Sequence, residues 1–228
     1  MTRKDAPHNT HTKEEKETET KKEKEKEKKR STVANLRYLF DWSLPLYAPE
    51  LATELTIPIY FANDMLRKTP PGAMYQDSWP SLFIAPAGLR SELHIDTFGS
   101  NFWMALFRGR KRWVFFRKEE THLLYPTYVH GLDPVFQVDL KNPDLKAHPL
   151  LALAQPIECV LEAGELIFVP NGCAHWVENI ETSVAVSGNF VDESNIDAAL
   201  EELGVAGLLD PRANELHNEL LALHRGAE

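Results

Sequence analysis

Cysteine and long apolar runs are scarce in this sequence. Only two of the 228 residues are cysteines, Cys159 and Cys173, which is too few for a disulfide scaffold or a cysteine-rich zinc module. Apolar runs stay below the roughly 18 residues that a membrane span needs, and the N-terminal residues lack the apolar core of a signal peptide. These absences predict a protein of a reducing intracellular compartment, the nucleus or the cytoplasm, with no membrane partner.

Positive charge is scarce beyond the first 30 residues. The chain has 25 Lys and Arg against 34 Asp and Glu, of which the first 30 residues hold 11 and 8. The rest therefore carries 14 basic and 26 acidic residues, a net charge of −12. An acidic body repels nucleic acid and attracts basic partners. We expect no nucleic-acid binding by the folded body, and we expect a basic protein or peptide substrate.

The first 30 residues form a low-complexity segment. From Lys13 to Arg30 the chain is almost entirely Lys, Glu and Thr, so it cannot offset the entropy lost on ordering. Residues 1–30 are predicted to be a disordered charged tail. The alternative is a nuclear-import or acidic-partner signal around Lys28, Lys29 and Arg30, which the intervening acids dilute.

The remaining chain is mostly a series of short β-rich runs. An aromatic strand over Arg37 to Trp42 and a short helix over Pro49 to Leu55 come first. The further predicted strands are Ser81 to Ala85, Glu92 to Asp96, Phe102 to Phe107, Lys111 to Phe116, Val135 to Asp139, Ile157 to Leu161, Glu165 to Val169, His175 to Asn179 and Ser183 to Phe190. Short strands at such spacing predict an all-β sandwich or barrel.

Helical periodicity begins near Ser194. The apolar residues of one helix face are Ile196, Ala199, Leu200 and Leu203, with Gly204 expected to close that helix. Asp210 and Pro211 read as the N-cap and first turn of a second helix. Its leucines are Leu216, Leu220, Leu221 and Leu223, and they either cover the barrel end or form a homodimer contact.

Two strand regions carry candidate metal ligands. Residues two apart in an extended chain point to the same side, so His94 and Asp96 converge on one point. That pair alone is equally consistent with an exposed polar face. His175 lies among apolar residues, and by itself it would be better explained as a core histidine. Together they make two histidines and one carboxylate, the facial triad that leaves open positions on ferrous iron.

Lys111 is the third notable position. Alternation along its strand places Lys111 on one face with Trp113 and Phe115. Arg110 and Arg112 face the other way. A lysine among aromatic rings inside a barrel loses hydration unless an anion meets it, and a dicarboxylate cosubstrate would supply one. The alternative is that strand curvature brings all three basic residues to solvent.

A set of ordered motifs points to a family. They are Tyr38-Leu39-Phe40-Asp41, Ile57-Pro58-Ile59-Tyr60-Phe61, Phe83-Ile84-Ala85-Pro86-Ala87-Gly88, His94-Ile95-Asp96, Gly109-Arg110-Lys111-Arg112-Trp113, the Gly164 to Pro170 run with His175, and Ser187-Gly188-Asn189-Phe190. The segment from Tyr38 to Phe190 resembles a JmjC-domain oxygenase of the cupin superfamily, most of all the small JmjC-only protein hydroxylases. The resemblance implies a mainly β double-stranded β-helix, or jelly-roll cupin barrel, that uses Fe(II), 2-oxoglutarate and O2. The expected parts are the tail, the oxygenase domain over residues 31–192 with flanking helices, and a C-terminal helical segment over residues 193–228.

The resemblance also implies roles for individual residues. The positions that match the iron ligands, and hence the catalytic centre, are His94, Asp96 and His175. Lys111 matches the lysine that pairs with the distal carboxylate of 2-oxoglutarate. Four more residues match cosubstrate positions, namely Tyr38, Ser91, Ser187 and Asn189. Each of these has an ordinary alternative in core packing, loop capping or backbone bonding.

Two features depart from the family pattern. Met104 stands where close relatives place a cosubstrate-binding asparagine, so some cosubstrate contacts are expected to differ. Relatives also have supporting strands and helices before the segment that matches Tyr38. The chain is therefore expected to be a truncated form or to cover its barrel edge in another way, since an open edge promotes aggregation.

Three functional hypotheses follow. The first is a 2-oxoglutarate-dependent dioxygenase that hydroxylates a Lys or Arg side chain, or demethylates an N-methyl group by the same chemistry. The second is a catalytically inactive cupin that serves as a scaffold or binding module. The third is a zinc or manganese cupin with isomerase or hydrolase activity, a class that does not require Lys111 near the metal.

Overall fold

The computed structural model describes residues 36–128 and 133–226, so the predicted tail lies outside the described residues. The described strands are β1 Leu39–Ser43, β2 Ser81–Ala85, β3 Arg90–His94, β4 Asn101–Arg108, β5 Arg110–Phe115, β6 Pro126–Thr127, β7 Val135–Phe136, β8 Ile157–Glu162, β9 Leu166–Val169, β10 His175–Asn179 and β11 Ser183–Phe190. The described α-helices are α1 Leu44–Tyr47, α2 Pro49–Glu54, α3 Ile196–Ala206 and α4 Pro211–Arg225. All of them lie in one compact unit that begins at Tyr38.

Two antiparallel sheets face each other. The larger has the order β1-β2-β11-β4-β9, and the smaller has the order β3-β10-β5-β8. Strands β6 and β7 pair separately. The non-consecutive neighbours are those of a jelly roll, in which the chain passes repeatedly between the two sheets. The predicted mainly β, double-stranded β-helix fold is confirmed.

Alternation along the strands builds the core between the sheets. On β4, Phe102, Met104 and Leu106 point inward, while Trp103 and Ala105 pack on the outer face. The other buried members of the inner core are Phe83, Trp113, Leu161, Val169, Val177 and Ala185. Because this core fills the barrel beside the predicted site, it holds the site side chains in place.

Helical segments cover the outer faces. Leu44 of α1 and Phe61 of a 3-10 turn pack against Trp103 on the larger sheet. Phe116 and Leu124 pack with Trp176 on the outside of the smaller sheet. Strand β4 therefore buries apolar side chains on both of its faces, which explains why it reads as a nearly continuous apolar run.

A glycine turn positions Lys111. Gly109 joins β4 to β5 with φ +85°, and a Cβ there would collide with the carbonyl oxygen of Thr182 and lie 2.9 Å from the Cα of Ser183. Only glycine combines this left-handed conformation with so close an approach. The turn sets the start of β5 and hence which of its residues face inward.

The C-terminal helices pack on their own domain. Leu216 and Leu220 are fully buried beside Leu203. The expectation that Gly204 ends the first helix is wrong, because α3 continues to Ala206 and the amide of Gly207 donates to the carbonyl of Leu203 at 2.8 Å. Packing of α3 against α4 outweighs the roughly 1 kcal/mol by which an internal glycine weakens a helix.

The predicted start of the second helix is borne out. The side chain of Asp210 accepts a hydrogen bond from the amide of Arg212 at 2.9 Å, and Pro211 occupies the first turn of α4. Among the described residues, no helix combines the length and the apolar character that a bilayer crossing requires.

Most predicted strands occur near their predicted bounds, with two differences. β3 ends at His94, so Asp96 lies beyond the strand, at the start of a 3-10 turn. The strand predicted over Val135 to Asp139 shrinks to Val135–Phe136. The carboxylate of Asp139 accepts the amide of Lys141 at 2.9 Å, and such a side-chain turn competes with strand pairing.

Candidate metal centre

A cavity of about 270 Å³ lies between the two sheets. Its lining residues are Tyr38, Phe40, Asp41, Trp79, Phe83, Ser91, His94, Ile95, Asp96, Thr97, Phe102, Met104, Lys111, Trp113, His175, Val177 and Asn189. Aromatic and aliphatic side chains form much of the wall. A few polar groups converge in it, as in many small-molecule sites.

Three elements bring the predicted ligands together. In the pairing of β10 with β3, His175 lies opposite His94, and the two ring centroids are 4.2 Å apart. Asp96 follows β3, and its Oδ2 lies 4.0 Å from Nε2 of His175. One potential ligand atom from each of the three residues lies within 4.8 Å of the others. Spacing along one strand therefore explains only part of the cluster, because Asp96 reaches it from the turn.

Backbone carbonyls orient both imidazoles. Nδ1 of His94 donates to the carbonyl of Glu92 at 2.7 Å, and Nδ1 of His175 donates to the carbonyl of Cys173 at 3.0 Å. A carbonyl only accepts, so each Nδ1 carries the proton and each Nε2 keeps its lone pair. This tautomer is the one in which a neutral histidine offers Nε2 to a metal.

Burial disfavours the charged forms of His175 and Asp96 in the metal-free protein. Burial, together with the neighbouring His94, lowers the pKa of His175 to about 3. Burial raises the pKa of Asp96, although His94 opposes the shift. Trp113 stacks near His175 with ring centroids 5.6 Å apart, which keeps water from that side of the ring. A divalent cation would supply the positive charge that an ionised Asp96 lacks here.

Lys111 lies in the same cavity with no exposed surface. Its Nζ donates to Oδ1 of Asn179 at 2.8 Å and lies 5.9 Å from the centroid of the Tyr38 ring. Among the described residues no carboxylate pairs with it, and burial lowers its pKa to about 8. The predicted inward orientation is thus present, and the proposed exposure of all three basic residues is wrong. Arg110 and Arg112 instead form ion pairs outside the barrel.

The hydroxyl groups predicted to assist Lys111 also line the cavity. Burial raises the pKa of Tyr38 to about 12, while hydrogen bonds with Ser91 and Asn179 oppose the shift. Tyr38 also packs partly against the inner core. Tyr38 therefore packs in the core and also lines the cavity, and its role in cosubstrate binding stays a prediction.

The two predicted residues of the last strand differ in position. Asn189 lines the cavity, and its Nδ2 donates to Oγ of Ser100 at 2.8 Å. Ser187 is fully buried two residues before it and is not part of the cavity wall. Its Oγ has no hydrogen-bond partner within the described ranges. A role for Ser187 in cosubstrate binding stays a prediction.

The residues present fit ferrous iron and 2-oxoglutarate. Two imidazole nitrogens and one carboxylate make the donor set of a non-haem iron site with open positions. Lys111 supplies a buried cation that an anionic ligand would neutralise. The indole nitrogen of Trp113, buried in the same wall, has no partner among the described residues.

Residues 2–196 match the family described as the cupin-like domain. The chain belongs to the cupin-like domain family. Among its relatives, an "Arginine-specific demethylase JMJ22" of Arabidopsis thaliana is 33% identical over 196 residues, which cover 78% of this chain and 34% of that protein. A human "2-oxoglutarate and iron-dependent oxygenase JMJD4" is 34% identical over 163 residues, or 70% of this chain and 37% of that protein. A "Lysine-specific demethylase JMJ21" of Arabidopsis thaliana is 32% identical over 162 residues, which cover 69% of this chain and 17% of that protein.

This cupin-like chain spans about a third of the length of JMJ22 and JMJD4. The names of these relatives describe a 2-oxoglutarate and iron-dependent oxygenase and two demethylases. The family resemblance predicted from the sequence is confirmed.

Sequence reasoning missed Asn179 in this cupin-like site. Its Oδ1 accepts from both Lys111 and Ser183, and its Nδ2 donates to the carbonyl of Leu89 at 2.8 Å. Asn179 shares the inward face of β10 with His175, four residues earlier. Strand alternation from His175 could therefore have found it.

Proposed function

We propose that this chain is an Fe(II)- and 2-oxoglutarate-dependent dioxygenase that hydroxylates a Lys or Arg side chain of a protein. One observation carries the proposal. The ligand atoms of His94, Asp96 and His175 cluster in the cavity that also holds the buried Lys111, which pairs with no carboxylate in the part of the chain that the structure describes. The three ligand residues fit a metal ion, and the buried ammonium of Lys111 fits an anionic cosubstrate beside it.

The chain's residues have separate tasks in this reaction. His94 and His175 would hold iron through Nε2, and Asp96 would hold it through a carboxylate oxygen. When bound, iron and 2-oxoglutarate supply an oxidising pair that uses O2 to convert a substrate C–H bond to C–OH, with succinate and CO2 as the other products. The backbone bonds at Nδ1 of both histidines hold the rings in the orientation required for binding.

Lys111 would bind the distal carboxylate of 2-oxoglutarate. A pKa of about 8 leaves most of the ammonium charged near pH 7, and an anion beside it would raise that pKa further. Tyr38 and Ser91 line the same wall and would add hydroxyl donors. Phe102 and Trp113 surround His175 with aromatic rings and exclude water from the reacting groups.

The acidic charge favours a basic substrate. Beyond residue 30 the chain carries 26 acidic and 14 basic residues, which would steer a Lys- or Arg-bearing protein toward it. The names of JMJ22 and JMJ21 support N-methyl demethylation as a second candidate. The same hydroxylation at an N-methyl carbon gives demethylation after loss of formaldehyde.

We also propose an intracellular location, in the nucleus or the cytoplasm, and a homodimer through the C-terminal helices. The two cysteines support the reducing compartment. Of the four leucines on which this dimer was predicted, Leu216 and Leu220 are buried within the domain, so Leu221 and Leu223, which are half-buried, would supply the contact.

The test is succinate formation from 2-oxoglutarate by the full chain, purified and loaded with iron without oxygen, then exposed to air. Slow turnover without substrate is expected. His94→Ala should lower it by about 100-fold or more, since it removes a metal ligand. Lys111→Met should raise the KM for 2-oxoglutarate by about 30-fold or more, because it removes a buried charge partner.

Arg112→Met is the matched control for the lysine variant. Arg112 neighbours Lys111 on β5 but faces outward and is exposed, so this change should leave the KM for 2-oxoglutarate unaltered. A folded, iron-binding chain without turnover would contradict the proposal and favour an inactive cupin scaffold. Zinc- or manganese-dependent activity that needs no 2-oxoglutarate would favour the isomerase or hydrolase hypothesis.

A further inference from the structure

A second carboxylate, apart from Asp96, lines the cavity. Asp41 belongs to the cavity wall and is exposed to solvent. Within the described ranges its carboxylate takes part in no hydrogen bond or ion pair. Asp96 is the carboxylate of the candidate metal centre, so Asp41 is not needed as a metal ligand.

The backbone places Asp41 in an uncommon conformation. Its φ is +50°, and the pairing of β1 with β2 shifts register between Leu39 and Trp42. The left-handed region is unfavourable for most side chains, although Asp and Asn tolerate it better than others. This bulge departs from the regular alternation of β1, and such bulges often redirect a side chain beside a site.

Two further residues near the cavity have positive φ. Tyr75 has φ +67° and Phe98 has φ +45°, and their rings stack 4.6 Å apart. Tyr75 also stacks at 5.5 Å on Trp79, which lines the cavity with Asp41. Strained conformations of this kind persist where the surrounding structure enforces them, and they are common at binding sites.

Aromatic rings line the same wall as Asp41. Phe40 and Trp79 both line the cavity, and the Phe40 side chain is 56% exposed. Phe40 meets the ring of Phe83 edge to face at 5.1 Å, which holds it against the wall. An exposed carboxylate, an exposed Phe40 ring and a half-buried Trp79 ring in one wall suit a cation with an apolar stem, since aromatic ring faces attract positive charge.

We infer that Asp41 is the residue that selects a cationic Lys or Arg side chain of the substrate. The inference rests on the proposed function, because it assigns Asp41 to the substrate side of that site. The apolar stem of the substrate packs on Phe40 and Trp79, and its charged group pairs with the Asp41 carboxylate. A neutral side chain of the same length would find the same walls but no charge partner.

The binding test uses four pools of fluorescein-labelled peptides with a fixed central residue and mixed flanks. The central residue is Lys, Arg, norleucine or Glu. Fluorescence anisotropy measures binding to the full metal-free chain at low salt. The wild-type chain should bind the Lys and Arg pools about three- to tenfold more tightly than the norleucine pool, and the Glu pool most weakly.

Asp41→Asn is the decisive variant because Asn also tolerates positive φ, so the change removes the charge and keeps the backbone. It should bring the Lys and Arg pools within twofold of the norleucine pool and leave norleucine binding unaltered. Glu54→Gln is the matched control. Glu54 is exposed at the end of α2 and outside the cavity wall, so this variant should keep the wild-type preference.

Several outcomes would overturn the inference. One is a wild-type chain that binds the Lys and norleucine pools equally. Another is an Asp41→Asn chain that keeps the preference, or one that weakens all pools alike. Equal losses in both variants would point to the overall charge instead of Asp41.

Uncoupled succinate formation by the wild-type chain separates the two proposals. If turnover occurs and the peptide preference is absent, Asp41 lacks the selecting role while the oxygenase proposal stands. If the peptide preference depends on Asp41 and turnover is absent, the oxygenase proposal fails and the cavity is a basic-peptide site.

Discussion

The charged residues on the two faces of β5 differ in burial and in their partners. Outside the barrel, Arg112 meets Glu158 at 2.7 Å and Arg110 meets Glu162 at 3.0 Å, and all four side chains are exposed. Inside, Lys111 is completely buried, and its hydrogen-bond partner among the described residues is the neutral Asn179. Along one strand, Arg110 and Arg112 thus carry charges that are paired at the surface, whereas Lys111 between them carries a charge into the cavity that no described carboxylate neutralises.

The difference teaches where to look for a ligand. Exposed ion pairs are common and contribute little to stability, so the outer arginines indicate no binding site. A buried ammonium without an anion destabilises the free protein, and it is retained here beside a metal-binding cluster. The unsatisfied face is therefore the one that points to a function.

The largest expected effect comes from the inner face. Trp113→Ala should lower the free energy of unfolding by about 3–5 kcal/mol, because it opens a cavity beside Phe115 and His175. Chemical denaturation followed by circular dichroism measures the loss. Trp113→Phe should lose less, since the indole nitrogen has no partner within the described residues. Equal losses for the two variants would show that packing volume does not decide stability here.

Lys111→Met should raise the free energy of unfolding of the ligand-free chain. Burial lowers the pKa of Lys111 from 10.5 to about 8, so at pH 7 holding the charge opposes folding by about 3 kcal/mol. Methionine has a similar length and no charge, and Oδ1 of Asn179 keeps its bond from Ser183. The ligand-free variant should therefore be more stable than the wild type, by up to that amount.

The stability difference between the wild type and Lys111→Met should depend on pH. Below about pH 8 the folded and unfolded wild-type chains both carry the proton at Lys111, and the full penalty applies. Between about 8 and 10.5 the unfolded chain binds more protons, so wild-type stability rises with pH. The advantage of Lys111→Met should shrink across this window in denaturation curves. An advantage that stays constant up to pH 10.5 would refute the assignment.

The smallest effect is expected on the outer face. A double-mutant cycle that pairs Arg112→Ala with Glu158→Ala should give a coupling of about 1 kcal/mol or less, because both side chains are exposed. Added salt should reduce that coupling further. A coupling as large as the Lys111 effect would remove the contrast between the two faces.

Much of the fold was predictable from local patterns. The strand predicted over His175 to Asn179 coincides with β10, and the one over Ser183 to Phe190 coincides with β11. Alternation also predicted the inward side of Lys111, since the period of two is a property of any extended chain. The predicted end of α3 was wrong. Packing against α4 stabilises the helix beyond Gly204, and no local sequence pattern shows that packing.

The candidate site was predictable in part. His94, Asp96 and His175 were found from residue type and family motif, and the structure places their ligand atoms together. Asn179 was missed because an asparagine near a strand end has many ordinary explanations. Ser187 matched by motif but lies outside the cavity wall, since wall membership depends on the neighbouring strands.

The sequence by itself determined the strand-rich fold, the inward face of β5 and the chemical identity of the metal-binding set. The first two follow from local periodicity, and the third follows from residue type together with the family motifs. Only the tertiary structure decided that Asp96 joins the cluster from a turn, that Lys111 has an amide in place of a carboxylate beside it, and that Asp41 lines the cavity. Such facts depend on which strands pair and in what register, and pairing joins residues as far apart in the chain as Lys111 and Asn179.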